Sequence, residues 1–179
     1  LAMTNQSLQE EVRASLQAYE SLWRSRSDTL ASVAAIISST PNVRAAFQTR
    51  HRPTIQDAAG ELWVKVADEL KENAFFTVAD PEGNTVASLD SAAPGRLPAT
   101  WPMIATVRGR FPKQAAGFAV IGNQLYQLVL PPVYVDATGG SSLVSVLVSG
   151  FSVDHSVAER LRESTGGSEF LFLAGDRVF

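Results

Sequence analysis

Few side chains in this sequence have the type and spacing to do chemistry. Gly150-Phe151-Ser152-Val153-Asp154 comes nearest to a nucleophile elbow. It lacks the closing glycine, and its serine stands in a strand-like run instead of a strand-to-helix turn. His155 follows Asp154 directly, a placement that suits a helix cap and a first-turn residue. His51 and His155 are far apart and cysteine is absent, so no zinc cluster and no disulfide can be assembled. No glycine-rich phosphate loop precedes a lysine. Asp80 and Glu82 give one turn two carboxylates, well short of the ~six oxygens that calcium takes. The pattern therefore predicts no catalytic residue, no metal and no cofactor.

The remaining candidates are suited to binding. Between Leu89 and Phe118, Pro94, Pro98, Pro102 and Pro112, with Gly95, Gly109 and Gly117, deny helix and strand except for two helical turns from Trp101 to Arg108. The segment carries Trp101, Met103, Arg108, Arg110 and Phe111, and it is too apolar to float in solvent, so it is predicted to fold back over a sheet. Arg108 or Arg110 can meet an anionic ligand through a bidentate fork, a small carboxylate by preference. Tyr126, on a neighbouring strand, has a hydroxyl that needs a partner when buried. The ligand-binding set is thus Trp101, Arg108, Arg110 and Tyr126. In the competing reading Trp101 and Tyr126 are core and both arginines are solvated.

The elements that must hold these residues are legible from period and punctuation. From Leu8 to Ser39 apolar residues recur in steps of four and three, Val12, Leu16, Tyr19, Trp23, Leu30, Val33 and Ile37, with Arg26 the one polar interruption. A helix of that reach spans roughly 48 Å, longer than a compact domain of this size is wide, with its radius of gyration of about 16 Å. It is therefore predicted to run unbroken from before Val12 to about Ser38 and to bury Tyr19 and Trp23 against another chain as a homodimer. Thr40-Pro41 opens a second helix, and Arg50, His51 and Arg52 complement the dipole at its end. Thr54 caps a third helix, apolar at Ile55, Ala59, Leu62, Val66 and Leu70, in which Gly60 marks a close contact. Phe75 to Asp90 is a hairpin turned by Asp80-Pro81-Glu82-Gly83. Strands follow at Phe118–Ile121, Gln124–Val135 and Leu143–Val153, the second bulged or on an edge at Pro131-Pro132. Asp154 caps a helix through Arg162, ended by Gly166-Gly167. Glu169 to Phe179 then repeats the opening hairpin in miniature.

A hairpin alone is marginal in water, and neither it nor the later strands can cover its own apolar face. They are expected to join in one antiparallel sheet whose spatial order differs from its sequence order. With 179 residues, 45% apolar content, a net charge of -3 and a pI near 5.4, the chain can bury a core and has no basic surface for nucleic acid. No apolar run approaches the ~20 residues that cross a bilayer. The start at Leu1-Ala2-Met3 and the apolar end at Val178-Phe179 are expected of a segment taken from a longer chain.

The order of long helix, hairpin with Asp-x-x-Gly turn, irregular segment and three antiparallel strands resembles the extracytoplasmic Cache sensor domains of bacterial receptors. The restart at Glu169-Phe170-Leu171-Phe172-Leu173 is similar to the double Cache type. The resemblance implies an α+β fold, with a long N-terminal helix and short helices packed on a PAS-like antiparallel sheet of about five strands. Residues 1–73 would form the helical region, 74–153 the sensor module, and 154–179 a connecting helix and the start of a second module. It implies a non-enzymatic, periplasmic or extracellular part of an inner-membrane protein, anchored through flanking segments. Such a domain binds an unknown small molecule and signals along the long helix to a histidine kinase, a nucleotide or diguanylate cyclase, or a chemoreceptor output. The alternative is a structural or protein-interaction module of the same fold that takes no ligand.

Overall fold

The computed structural model describes residues 2–65, 74–89, 101–111 and 113–179, leaving aside the side chains of 2–5, 107, 136 and 137. The expected opening helix is present as α1 (Ala2–Ser39), 38 residues without a break. It ends where Pro41 forces Thr40 into extended backbone. Helix α2 (Pro41–Thr49) follows and closes on Arg50 in the left-handed region at φ 54°. Helix α3 (Arg52–Trp63) begins at His51. Thr40 stands at the N-cap of α2 as expected, but neither it nor Thr54 makes a side-chain cap bond. The Thr40 hydroxyl donates back to the Ile36 carbonyl at 2.8 Å, and Thr54 lies inside α3 against His51 Nδ1 at 2.9 Å. Apart from its own helix backbone, no atom of the described residues lies within 4 Å of where a Gly60 Cβ would stand, so none of them makes the close contact expected there. The expected apolar positions Val66 and Leu70 lie outside the described residues.

Strands β1 (Ala74–Ala79) and β2 (Thr85–Ser88) form the predicted hairpin. Helix α4 (Pro102–Val107) and a 3-10 turn over Arg108–Arg110 match the two helical turns expected there. Then come β3 (Ala115–Ile121), β4 (Gln124–Leu130), β5 (Pro132–Ala137) and β6 (Gly140–Val153). The bounds at Ile121, Gln124 and Val153 are as expected, whereas β3 and β6 each begin three residues early and β5 runs two residues past Val135, because backbone pairing continues through small and polar residues that lack a strong strand signature. Helix α5 (His155–Ser164) and the short strands β7 (Leu173–Ala174) and β8 (Arg177–Val178) complete the described elements.

The sheet is antiparallel in the order β2-β1-β6-β4-β3, with β5 also on β6. The hairpin therefore pairs with the last long strand, as its uncovered face requires. Val146 pairs with both Ala79 and Pro132, which puts β5 on the side of β6 opposite β1, in line with β4. One long strand has thus been interrupted at Pro131, where ladder donors are missing. The Pro131 carbonyl still accepts from the Leu147 amide at 3.1 Å.

Every residue of β1 is buried, because the two faces of the sheet are both covered. Phe76 and Val78 turn to one face, where Leu30, Ile37, Phe47, Ile55 and Trp63 of α1, α2 and α3 pack on them. Phe75 and Ala79 turn to the other, under Trp101 and Ile104 of the α4 segment. A third cluster joins Trp23 of α1 to Leu125, Val157, Leu161 and Phe172. Trp23 meets Tyr19, Phe118 and Phe172 edge-on at 5.3, 5.1 and 5.8 Å. The expectation that Trp23 would be buried by another chain is thus corrected: its own chain buries it. The exposed stretch of the helix seam is Leu8, Val12 and Leu16.

Candidate functional site

The face of the sheet under α4 is built around Phe75. Gly150 on β6 stands opposite it, and a Cβ there would be 2.5 Å from Phe75 Cε1, so glycine makes the room for the ring. Trp101 stacks on Phe75 at 6.3 Å with planes 19° apart, and Tyr126 meets it edge-on at 5.2 Å. Leu128, Leu130, Val146 and Val148 complete this layer. Strand alternation puts Thr77, which is fully buried, on the same face. Thr77 Oγ1 and Trp101 Nε1 have no hydrogen-bond partner among the described residues. A buried polar group left in that state costs about 1–3 kcal/mol, which a ligand accepting from it would recover.

The segment that lies over this face is tied to the β1–β2 turn. The Trp101 amide donates to the Gly83 carbonyl, and the Arg108 guanidinium donates to the Pro81 carbonyl. Gly83 has φ +93° and passes so near that a Cβ would be 2.9 Å from the Trp101 carbonyl oxygen, which only glycine permits. The turn itself is organised by Asp80. Its Oδ1 accepts from the amides of Glu82 and Asn84 at 3.0 and 2.8 Å, and its Oδ2 from Asn84 Nδ2 at 2.9 Å. This carboxylate is fully used as a turn scaffold, and no group of metal-ligating side chains forms among the described residues.

Of the sequence-derived site, Trp101 and Tyr126 are brought together on Phe75, whereas Arg108 and Arg110 are exposed on the 3-10 turn. Burial, and then the negative charge of Asp154, push the Tyr126 hydroxyl above its usual pKa of 10.0, so it stays protonated and able to donate. Ser152, Asp154 and His155 have the structural roles expected of them. Asp154 caps α5 by accepting from the Ser156 amide at 3.1 Å, and Ser152 Oγ donates to it at 3.1 Å. His155 is exposed beside Glu159 at 3.2 Å.

Sequence reasoning missed Arg26. It is buried on the helix-covered side, with its guanidinium 4.8 Å from the Phe151 ring centroid and 5.8 Å from that of Trp23. Nη1 donates to the Ser152 carbonyl at 3.3 Å. Burial, and then the like charge of Arg160, lower its pKa to about 10 against an opposing pull from Asp154. The available signal was its place on the apolar seam of α1, where a solvated arginine does not belong. Thr77 carried no comparable signal, because a threonine in a strand is unremarkable until its register is known.

A long helix and two shorter ones on one face of an antiparallel sheet, with a segment between second and third strands over the other, define a PAS-like fold. Solved structures have the same fold. The periplasmic domain of Vibrio cholerae LuxQ matches with a TM-score of 0.59 at 14% identity, over 94% of this chain and 76% of that one. The sensor domain of E. coli DcuS matches with a TM-score of 0.52 at 14% identity, over 80% and 97%. The sensor domain of the V. cholerae histidine kinase DctB matches with a TM-score of 0.60 at 17% identity, over 92% and 62%. The chain has the fold of these periplasmic sensor domains. Neither a protein-family model nor a curated protein sequence matches it.

Proposed function

We propose that this chain is the extracytoplasmic sensing domain of a bacterial transmembrane receptor, non-enzymatic in itself, and that it holds a small molecule between the sheet and the α4 segment. The observation that carries the reading is the pair of polar atoms Thr77 Oγ1 and Trp101 Nε1, which have no partner among the described residues, within an otherwise apolar buried layer. The fold it has in common with LuxQ, DcuS and DctB domains supports a periplasmic location and an output in a membrane-bound signalling protein. The preferred ligand is a small carboxylate, held by the hydroxyls of Thr77 and Tyr126 and the Trp101 indole, with Arg108 or Arg110 swinging inward as its counter-charge. A ligand that favours one arrangement of sheet, α4 segment and α1 shifts the population toward it, and α1 conveys the shift. The exposed continuation of the α1 seam at Leu8, Val12 and Leu16 supports a homodimer through that face, in place of Tyr19 and Trp23. Residues 1–73 would then be the signalling helices, 74–153 the sensor, and 154–179 the link to a second module.

Thermal denaturation in the presence of small carboxylates tests the site. A ligand at 100 times its Kd adds about 2.7 kcal/mol of stability. Thr77→Val, Arg108→Gln and Arg110→Gln should each weaken that stabilisation. A carboxylate that stabilises all three variants as well as wild type would rule the site out. The second reading, an interaction module without ligand, is favoured by an apolar groove of about 530 Å³ lined by Tyr19, Phe118, Leu125, Phe170 and Leu171. It predicts that no small molecule stabilises the domain.

A further inference from the structure

On the opposite face from the proposed ligand layer, a cleft of about 600 Å³ opens between the α2–α3 connection and the β1–β2 turn. Arg50 and Arg52 stand on one side, Asp80 and Glu82 on the other, and Phe47, Ile55, Val86 and Val144 line it between. Both signs of charge meet here, yet none of the four pairs with another. Asp80 is occupied by its turn, and Glu82 is exposed. The Arg52 guanidinium donates to the Thr85 carbonyl, which fixes its head at the mouth of the cleft with donors to spare. Arg50 is the only described non-glycine residue at positive φ, a conformation unfavourable by roughly 1–2 kcal/mol, and it presents its side chain to the same opening. His51, at the head of α3, makes no side-chain cap bond, so the first amides of α3 add their partial positive charge nearby. An independent sign comes from inside. Ser145 is 3% exposed and brings a hydroxyl to the lining of the cleft.

We infer that this cleft is a second ligand site, for a small organic anion with an apolar body. The carboxylate or phosphate group meets Arg50 and Arg52, the body lies on Phe47, Ile55, Val86 and Val144, and the Ser145 hydroxyl donates to an acceptor at the far end. Glu82 at the rim disfavours ligands of higher negative charge. The same turn that forms one wall holds Trp101 and Arg108 on its other side through the carbonyls of Gly83 and Pro81. Occupancy of the cleft therefore bears on the α4 segment through the Asp80–Asn84 turn.

Benzoate, its neutral isostere benzamide and inorganic phosphate are the probes, titrated by calorimetry against the whole chain. Amide shifts of Ser145 and Val144 in nitrogen-proton spectra report the place of binding. Benzoate should bind and move both amides, while benzamide and phosphate bind at least tenfold more weakly. Arg50→Asn keeps a residue tolerant of the left-handed backbone, and with Arg52→Gln it should weaken benzoate tenfold or more. Arg177→Gln, on β8 and outside both sites, should leave it unchanged, and the Ser145 and Val144 shifts separate this site from the sensing one. Equal affinity for benzoate and benzamide, benzoate binding that ignores both arginine substitutions, or shifts confined to Thr77 and Tyr126 would each overturn the proposal.

Discussion

Replacing Gly150 by alanine tests how the ligand layer is assembled. The added Cβ would lie 2.5 and 2.9 Å from Cε1 and Cζ of Phe75 and 2.8 Å from Leu128 Cδ2. Ordinary carbon contacts fall near 3.5–4.0 Å, so the Phe75 ring would have to retreat by about 1 Å. Phe75 is 2% exposed and carries Trp101 and Tyr126 on its ring, so it has no vacant space to enter. Overpacking of this kind costs about 1–3 kcal/mol. The narrower unfolded ensemble of alanine returns roughly 0.5–1 kcal/mol, for a net loss of about 1–2 kcal/mol. With a urea m-value of about 2 kcal/mol/M, the midpoint should fall by roughly 0.5–1 M. The same substitution in a Phe75→Leu background should cost at least about 1 kcal/mol less, since the clashing ring atoms are gone. If Gly150→Ala is as stable as wild type, or if its cost is the same in both backgrounds, the glycine does not seat the ring and the account of the layer is wrong.

Arg26→Met removes a buried cation that has no ion pair among the described residues while keeping the stem, and should be neutral or stabilising in urea denaturation at pH 7, whereas Arg26→Ala should lose about 1–3 kcal/mol through lost packing. Because burial holds the folded-state pKa of Arg26 down at about 10, well below its ordinary unfolded value, the folded chain binds fewer protons between the two. The stability of wild type relative to Arg26→Met should therefore rise as pH climbs past 10, and a difference that does not change with pH would refute the buried charge. Asp154→Ala should cost about 1 kcal/mol at pH 7 by removing the cap of α5. Burial alone would raise the Asp154 pKa, but its hydrogen bonds from Ser156, Ser152 and Val157 outweigh that and hold it below 3.8. Its contribution is present above 3.8 and lost as pH falls through the lower folded value, so the two proteins should converge in acid, as followed by denaturant midpoints from pH 7 to 2.

Much of this architecture follows from local chemistry. The spacing of Val12 to Ile37 makes a helix in any context, Asp80-Pro81-Glu82-Gly83 makes a turn, and the proline-rich segment cannot be regular for long, because these preferences act over a few residues and are written at those residues. Even the joining of hairpin and later strands could be read, since uncovered apolar faces must find partners. Tertiary structure decided which partner each face found. Tyr19 and Trp23 have the same spacing as Val12 and Leu16, yet β3, β4 and the terminal segment cover the former and leave the latter exposed, a difference set by where the sheet ends along the helix. Arg26 has the sequence look of a solvated residue and is buried because Phe151 and Trp23 close over it. Thr77 and Ser145 became candidates only through register and packing: alternation along a strand assigns a face, but which face acquires a cleft depends on residues far away in the chain.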